Sequence, residues 1–140
     1  MLVQSLTACA IKPYVMEQTA ATLSNQANAP EDDVLLAREA SAFYLKFSES
    51  LLREMPQHQQ LAETVAAGFS QYAYAFVAFE ADKTEPHDAK AAQKIRVRAA
   101  HLYARAHGHA MRALELASPG FTKALSDSDP AKLRSEERRV

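Results

Sequence analysis

The stretch LAETVAAGFSQYAYAFVAF, Leu61 to Phe79, decides the fold. Leu61, Val65, Phe69, Tyr72, Phe76 and Phe79 recur at steps of three and four, so they share one side of a helix. Ala62, Ala66, Ala67, Gly68, Ala73 and Ala75 keep the rest of its surface thin, which lets neighbouring helices approach closely. Tyr72 and Tyr74 carry hydroxyls that need a partner wherever they are buried. A helix apolar on more than one face belongs in the middle of a bundle. This is therefore the expected central helix, with the others packed around it.

The flanking sequence supplies those others. Residues 11–28 are expected to form a first helix with Pro13 in its opening turn, where proline is tolerated. Its stripe is thin: Val15, Thr19, Thr22 and Leu23. A second helix starts after Pro30, Glu31, Asp32 and Asp33, a proline and acids placed as a helix N-terminus favours them. It runs to about Met55, with its buried stripe expected at Leu36, Ala40, Phe43, Phe47, Leu51 and Met55, widened by Tyr44 and Leu52, and Pro56 ends it. The turn at Pro56-Gln57-His58 is so short that the second and third helices must be antiparallel neighbours.

Residues 80–88, EADKTEPHD, form the next polar break. The fourth helix is expected over Ala89 to Ala117, with Ile95, Ala99, Leu102, Ala106, Ala110 and Ala113 facing inward, helped by Tyr103 and Leu114. Ser118-Pro119-Gly120 stops it, and Phe121 to Leu125 make a short further helix. The expected fold is all-α, two long antiparallel hairpins stacked side by side: residues 1–10 a leader remnant, 11–125 the helical domain, 126–140 a polar, fraying tail. Ala106, Ala110, Ala113 and Leu114 with Pro119 approximate the second helix of a tetratricopeptide repeat, and Gly68 with Tyr72 the first, each one residue off register. A generic bundle is the competing architecture.

A chain of 140 residues makes one domain with a real core. Its net charge of −1 gives no general reason to bind nucleic acid or an anionic membrane. The charges are uneven, however: residues 1–89 hold 5 Lys/Arg against 12 Asp/Glu, and residues 90–140 hold 11 against 5. Acidic and basic helices are thus expected to face each other, within the fold or across subunits. With Cys9 as the single cysteine, no intramolecular disulfide forms. No apolar run is long enough to span a bilayer, so contact with a membrane is expected only through an anchor or docking.

Residue by residue, catalysis finds little support. His101 and His109 lie along one side of the fourth helix with Arg105 between them, but Arg105 repels a cation and no acid or thiol accompanies them, so no metal site is expected. Lys90, Lys94, Arg98 and Arg105 form a basic ridge without the interleaved aromatics that single-stranded nucleic acid requires. Glu80, Asp82, Glu85 and Asp88 lack the glycine-punctuated calcium loop and are expected to be a solvated turn. There is no phosphate loop, nucleophile elbow or catalytic carboxylate pair, so neither enzyme activity nor a cofactor is expected.

At the N-terminus, Leu6-Thr7-Ala8-Cys9 has the form of a bacterial lipobox: an aliphatic residue, two small ones, then the cysteine that receives lipid. Only eight residues precede Cys9, with neither Lys nor Arg, whereas a working signal needs a charged start and a hydrophobic region. A buried structural cysteine is the competing interpretation.

Three stretches together resemble a known family. They are Leu6-Thr7-Ala8-Cys9; Gly68-Phe69-Ser70-Gln71-Tyr72-Ala73-Tyr74-Ala75-Phe76; and Ala104-Arg105-Ala106 through Met111-Arg112-Ala113-Leu114-Glu115-Leu116 to Pro119-Gly120-Phe121. Their order and separation resemble the T-component of TRAP transporters, the tripartite ATP-independent periplasmic solute importers, over roughly residues 6–125 and over the N-terminal part of the family pattern only. The resemblance implies a non-enzymatic periplasmic lipoprotein, tetratricopeptide-like, lipidated at Cys9, that docks the solute-binding protein and forms homo-oligomers. It gives Phe69, Tyr72, Phe76 and Phe79 a second role beside core packing, lining a groove for an apolar ligand. The family pattern continues into further hairpins, so the face they would cover is expected to be buried by self-association. The alternative is a helical scaffold that holds a peptide in its hairpin groove and has no part in transport.

Overall fold

In a computed structural model, residues 8–26 and 31–127 are described, with side chains described for 14–23 and 31–127. Every described element is helical: α1 (Ala8–Gln26), α2 (Val34–Glu54), α3 (Gln59–Tyr72), a π-helical stretch (Ala73–Ala78), α4 (Phe79–Thr84), α5 (Ala89–Ala117) and α6 (Phe121–Asp127). α3, the π stretch and α4 are one unbroken rod. The N-termini are fixed by polar side chains that accept otherwise unpaired backbone N–H groups. The Asp33 carboxylate accepts from Leu35 and Leu36, His58 Nδ1 from Leu61, and the Asp88 carboxylate from Ala91.

The boundaries sharpen the sequence picture. α5 has the expected limits, whereas the central rod continues through Thr84 before the chain turns, so half of the expected polar break is helix. α1 starts at Ala8, and α6 takes in Ser126 and Asp127. Residues 1–7 and 128–140, where most of the leader remnant and the fraying tail were expected, lie outside the described residues, as does the Cys9 side chain.

α5 runs antiparallel to the whole rod and supplies its main support. Its buried residues are Ala92, Ala99, Ala106 and Ala113, one every seventh position, and their small side chains let the helices close up. Opposite them the rod buries Leu61, Val65, Phe69, Ala73, Val77 and Ala81, a step of four throughout. In an α-helix each such step overshoots a full turn by about 40°, so the face would wind away from α5. The wider turn of the π stretch takes that drift back. The expected stripe through Tyr72, Phe76 and Phe79 is corrected accordingly. Tyr72 and Phe76 are half-buried on a neighbouring face, and Phe79 is 59% exposed, with Lys83 Nζ 5.5 Å from its ring centroid.

The stripe on α2 is also corrected. The helix buries Leu45, Ser48, Glu49 and Leu52, while Leu51 and Met55 are partly buried against the same core. Leu36, Phe43, Tyr44 and Phe47 remain exposed. α1 packs on α3 and α2 through buried Ala20 and Leu23. At the other end the Arg96 guanidinium holds the turn before α5, donating to Glu85 at 2.6 and 2.8 Å and to Asp82 at 3.3 Å. After α5 the chain reverses at Gly120, whose φ of +90° suits glycine, and the Glu115 carboxylate accepts from the N–H groups of Gly120 and Thr122.

Candidate functional site: a groove beside a buried carboxylate

α2 and α3 leave the Pro56 turn in close contact. At Gly68 a Cβ would come within 3.1 Å of Leu45 Cδ1, so glycine permits that approach. Beyond it the facing side chains are small, Ala37, Ala40 and Ser41 on α2 and Ala75 on the π stretch, and a groove of about 580 Å³ opens. Tyr72 and Phe76, with ring centroids 5.5 Å apart, wall one side and Tyr44 the other. Leu23 of α1 and Val65 add apolar surface, Ser48, Thr64 and Gln71 add polar points, and Glu31 adds a carboxylate. π turns inside α-helices recur at functional sites, and this one forms part of the wall.

Ser48 is 6% exposed and lines the groove. Thr64 Oγ1 donates back to the Gln60 carbonyl, as hydroxyls on helices commonly do, whereas among the described residues the Ser48 hydroxyl has no such bond. A buried hydroxyl without a partner costs stability unless something else supplies one.

Beside Ser48 stands Glu49, its side chain only 7% exposed. Arg105 of α5 donates to both of its oxygens, His109 Nε2 lies 3.1 Å from Oε1, and Lys46 Nζ lies 2.7 Å from Oε2. Burial pushes the Glu49 carboxyl up, but the hydrogen bonds from Lys46, Arg105 and His109, with the charge of Arg105, outweigh it and hold the pKa down at about 2. Phe69 lies beneath the cluster. His109 stacks on its ring at 5.7 Å and 10°, and the Arg105 guanidinium carbon sits 4.7 Å from its centroid. Arg112, one helical turn on, donates to the Pro56 carbonyl at 2.8 and 3.1 Å. α5 thus grips the C-terminal half of α2, and the acidic and basic halves of the chain do meet within the fold.

Of the aromatic residues singled out from sequence, the structure brings Tyr72 and Phe76 together in the groove wall. Phe69 lies in the core and Phe79 on the outer surface. His101 and His109 part company. His101 is exposed, and His109 serves the carboxylate of another helix. Glu49 and Ser48 were not anticipated. Their signal was spacing, because Leu45, Glu49 and Leu52 fall on one face of α2. Among the described residues no group of three or more His, Cys, Asp or Glu side chains is placed to hold a metal ion, and no helix is long and apolar enough to cross a membrane.

The family model for the TRAP transporter T-component matches residues 30–139, which takes in α2, the π-interrupted rod, α5 and α6. A curated Treponema pallidum (strain Nichols) protein described only as uncharacterized is 33% identical over 103 residues, 74% of this chain and 32% of the relative. The chain therefore spans about a third of the length of that relative. No solved structure matches. With most of the chain under the family match, the charged cluster and all of the groove lining but Leu23 included, the protein belongs to the TRAP transporter T-component family.

Proposed function

We propose that this chain docks the solute-binding protein of a TRAP transporter and accommodates an apolar or amphipathic ligand in the groove between α2 and the rod. Family membership itself implies a T-component role, an accessory to transport and not an enzyme. The finer reading adds a tetratricopeptide-like stacking of the hairpins, a periplasmic location with lipid on Cys9 as the only anchor, and association of copies of the chain.

The groove carries the ligand part. Its volume of about 580 Å³ falls in the range of about 300–1,000 Å³ usual for small-molecule sites. Its walls are aromatic and aliphatic, and the Ser48 hydroxyl supplies one buried polar point. That combination suits a ligand with an apolar body and a polar head.

Two experiments test the proposal. A pull-down from periplasmic extract of the native organism is expected to recover an extracytoplasmic solute-binding protein. Recovery of unrelated proteins alone would favour the scaffold alternative. Titration with the fluorescent fatty acid cis-parinaric acid is expected to saturate at one site, and Ala75→Trp, which fills the groove, to weaken binding by about tenfold or more. Binding undiminished in Ala75→Trp would remove the groove from the proposal.

A further inference from the structure

We propose that the groove takes an amphiphile with a cationic, ammonium-type head and disfavours fatty carboxylates. The inference rests on the reading of the groove as a ligand site and adds the chemical class that it selects.

The register of the two helices gives the groove a direction. Ser48 and Thr64 lie eight residues before and after Pro56, whereas Ala37 and Ala75 lie nineteen before and after it. The end at Ser48 is therefore the inner one, next to the turn, and the end at Ala37 is the mouth. Eleven residues of α2 separate the two, about 16 Å at the rise of an α-helix. That is room for a medium-length alkyl chain laid between Leu45 and Val65. Tyr72 and Phe76 stand in the outer half, with Tyr44 across from them.

Charge along this line has one sign only. Among the described residues that line the groove there is no Lys, Arg or His, and Glu31, just ahead of α2, is the one charged side chain. Its Oε1 accepts from the Asp33 N–H at 3.0 Å, which holds the carboxylate at the mouth, and no described cation pairs with it. An ammonium head at the mouth would meet that carboxylate and three aromatic side chains, the surroundings that attract such a group without needing hydrogen bonds from it.

At the inner end the nearby cations are already engaged. Lys46, Arg105 and His109 are all held by Glu49, the residue after Ser48. Ser48, 6% exposed and without a partner among the described residues, offers only a neutral hydroxyl. A carboxylate drawn down to it would be buried without a free counter-charge, which is costly. At the mouth the same carboxylate would face Glu31. One end thus suits a cation, the other an uncharged hydrogen-bonding group, and neither suits an anion. A fatty acid such as cis-parinaric acid enters by its chain alone, its head left in water beyond Glu31.

Isothermal titration calorimetry at low salt tests this with decyltrimethylammonium and decanoate, each kept below its micelle-forming concentration. The cation is expected to bind the wild-type chain about tenfold more tightly than the anion, and added salt should narrow that difference. Both should weaken in Ala75→Trp. Glu31→Lys should reverse the order of the two, and cis-parinaric acid should bind that variant more tightly than wild type, a gain that damage to the fold would not produce. Decanoate binding as tightly as the ammonium, or an order unchanged in Glu31→Lys, overturns the headgroup assignment, and the groove stands if Ala75→Trp still weakens both. Absence of binding by either amphiphile and by cis-parinaric acid overturns the groove reading and the assignment with it.

Discussion

Glu49 shows how one carboxylate ties three helices together. It sits on α2, its partners Arg105 and His109 sit on α5, and both of those lie over Phe69 of α3. Removing the charge while keeping the shape strands Arg105 and His109, so Glu49→Gln should cost about 2 kcal/mol at neutral pH by urea denaturation. The pH dependence follows from the direction of the shift. The folded pKa, about 2, lies below the ordinary 4.5, so the ionised carboxylate stabilises the fold fully above pH 4.5 and loses that contribution as pH falls toward 2. The gap between wild type and Glu49→Gln should therefore close over that window, and a gap that stays constant down to pH 2 would show that the charge is not what holds the cluster. Legibility in the sequence was uneven at this scale. His109 falls seven residues after Leu102 and seven before Leu116, a core position by spacing. Weighing each helix by its own charges hid the acid that satisfies it, because Glu49 is 60 residues away in the chain.

The elements were far more legible than their faces. Prolines, acids and polar breaks punctuate the chain so strongly that α2 and α5 emerge almost residue for residue, because breakers and caps act locally. Which face turns inward depends on rotation about the helix axis, and there the π stretch defeats a count at 3.6 residues per turn. It behaves as one residue too many for an α-helix, which leads to a test. Deleting Ala75 should relax the rod to an ordinary α-helix and leave Ala81 and its neighbours still facing α5, with thermal stability changed little. The groove wall at Phe76 would be displaced, so binding of cis-parinaric acid should fall. Loss of folding in that deletion would mean that the π turn is required by the core and not by the groove. Gly68→Ala separates the same two roles more gently. Alanine gains up to about 1 kcal/mol of helix propensity, but its Cβ must push Leu45 Cδ1 from 3.1 Å toward the groove. The terminal methyl can move, so stability should hold within about 1 kcal/mol while the groove narrows. Weaker probe binding in a variant that melts normally is the expected outcome.

At the scale of the whole molecule, stability is graded from the middle outward. The rod and α5 share the longest contact, and the core cluster centres on Leu61, Val65 and Phe69 with Ala106 and Ala113. α2 is held through its C-terminal half by Glu49 and the Pro56 turn, whereas its N-terminal half borders the groove. α1 contributes Ala20 and Leu23, and its one described polar side-chain contact outside itself is Glu17 with His58 Nε2 at 3.3 Å. Local opening costs least where few apolar contacts must break. Native-state hydrogen exchange should accordingly rank the amides around Phe69 and Ala106 slowest, the first half of α2 intermediate, and α1 and α6 fastest. Because Leu23 of α1 and Ala37, Ala40 and Tyr44 of the first half of α2 line the groove, opening of those two segments is also the route by which a ligand would enter. Saturation with cis-parinaric acid should slow exchange in those two segments and leave the α3–α5 core unchanged. Uniform slowing across all helices would point instead to global stabilisation by a ligand that needs no opening step.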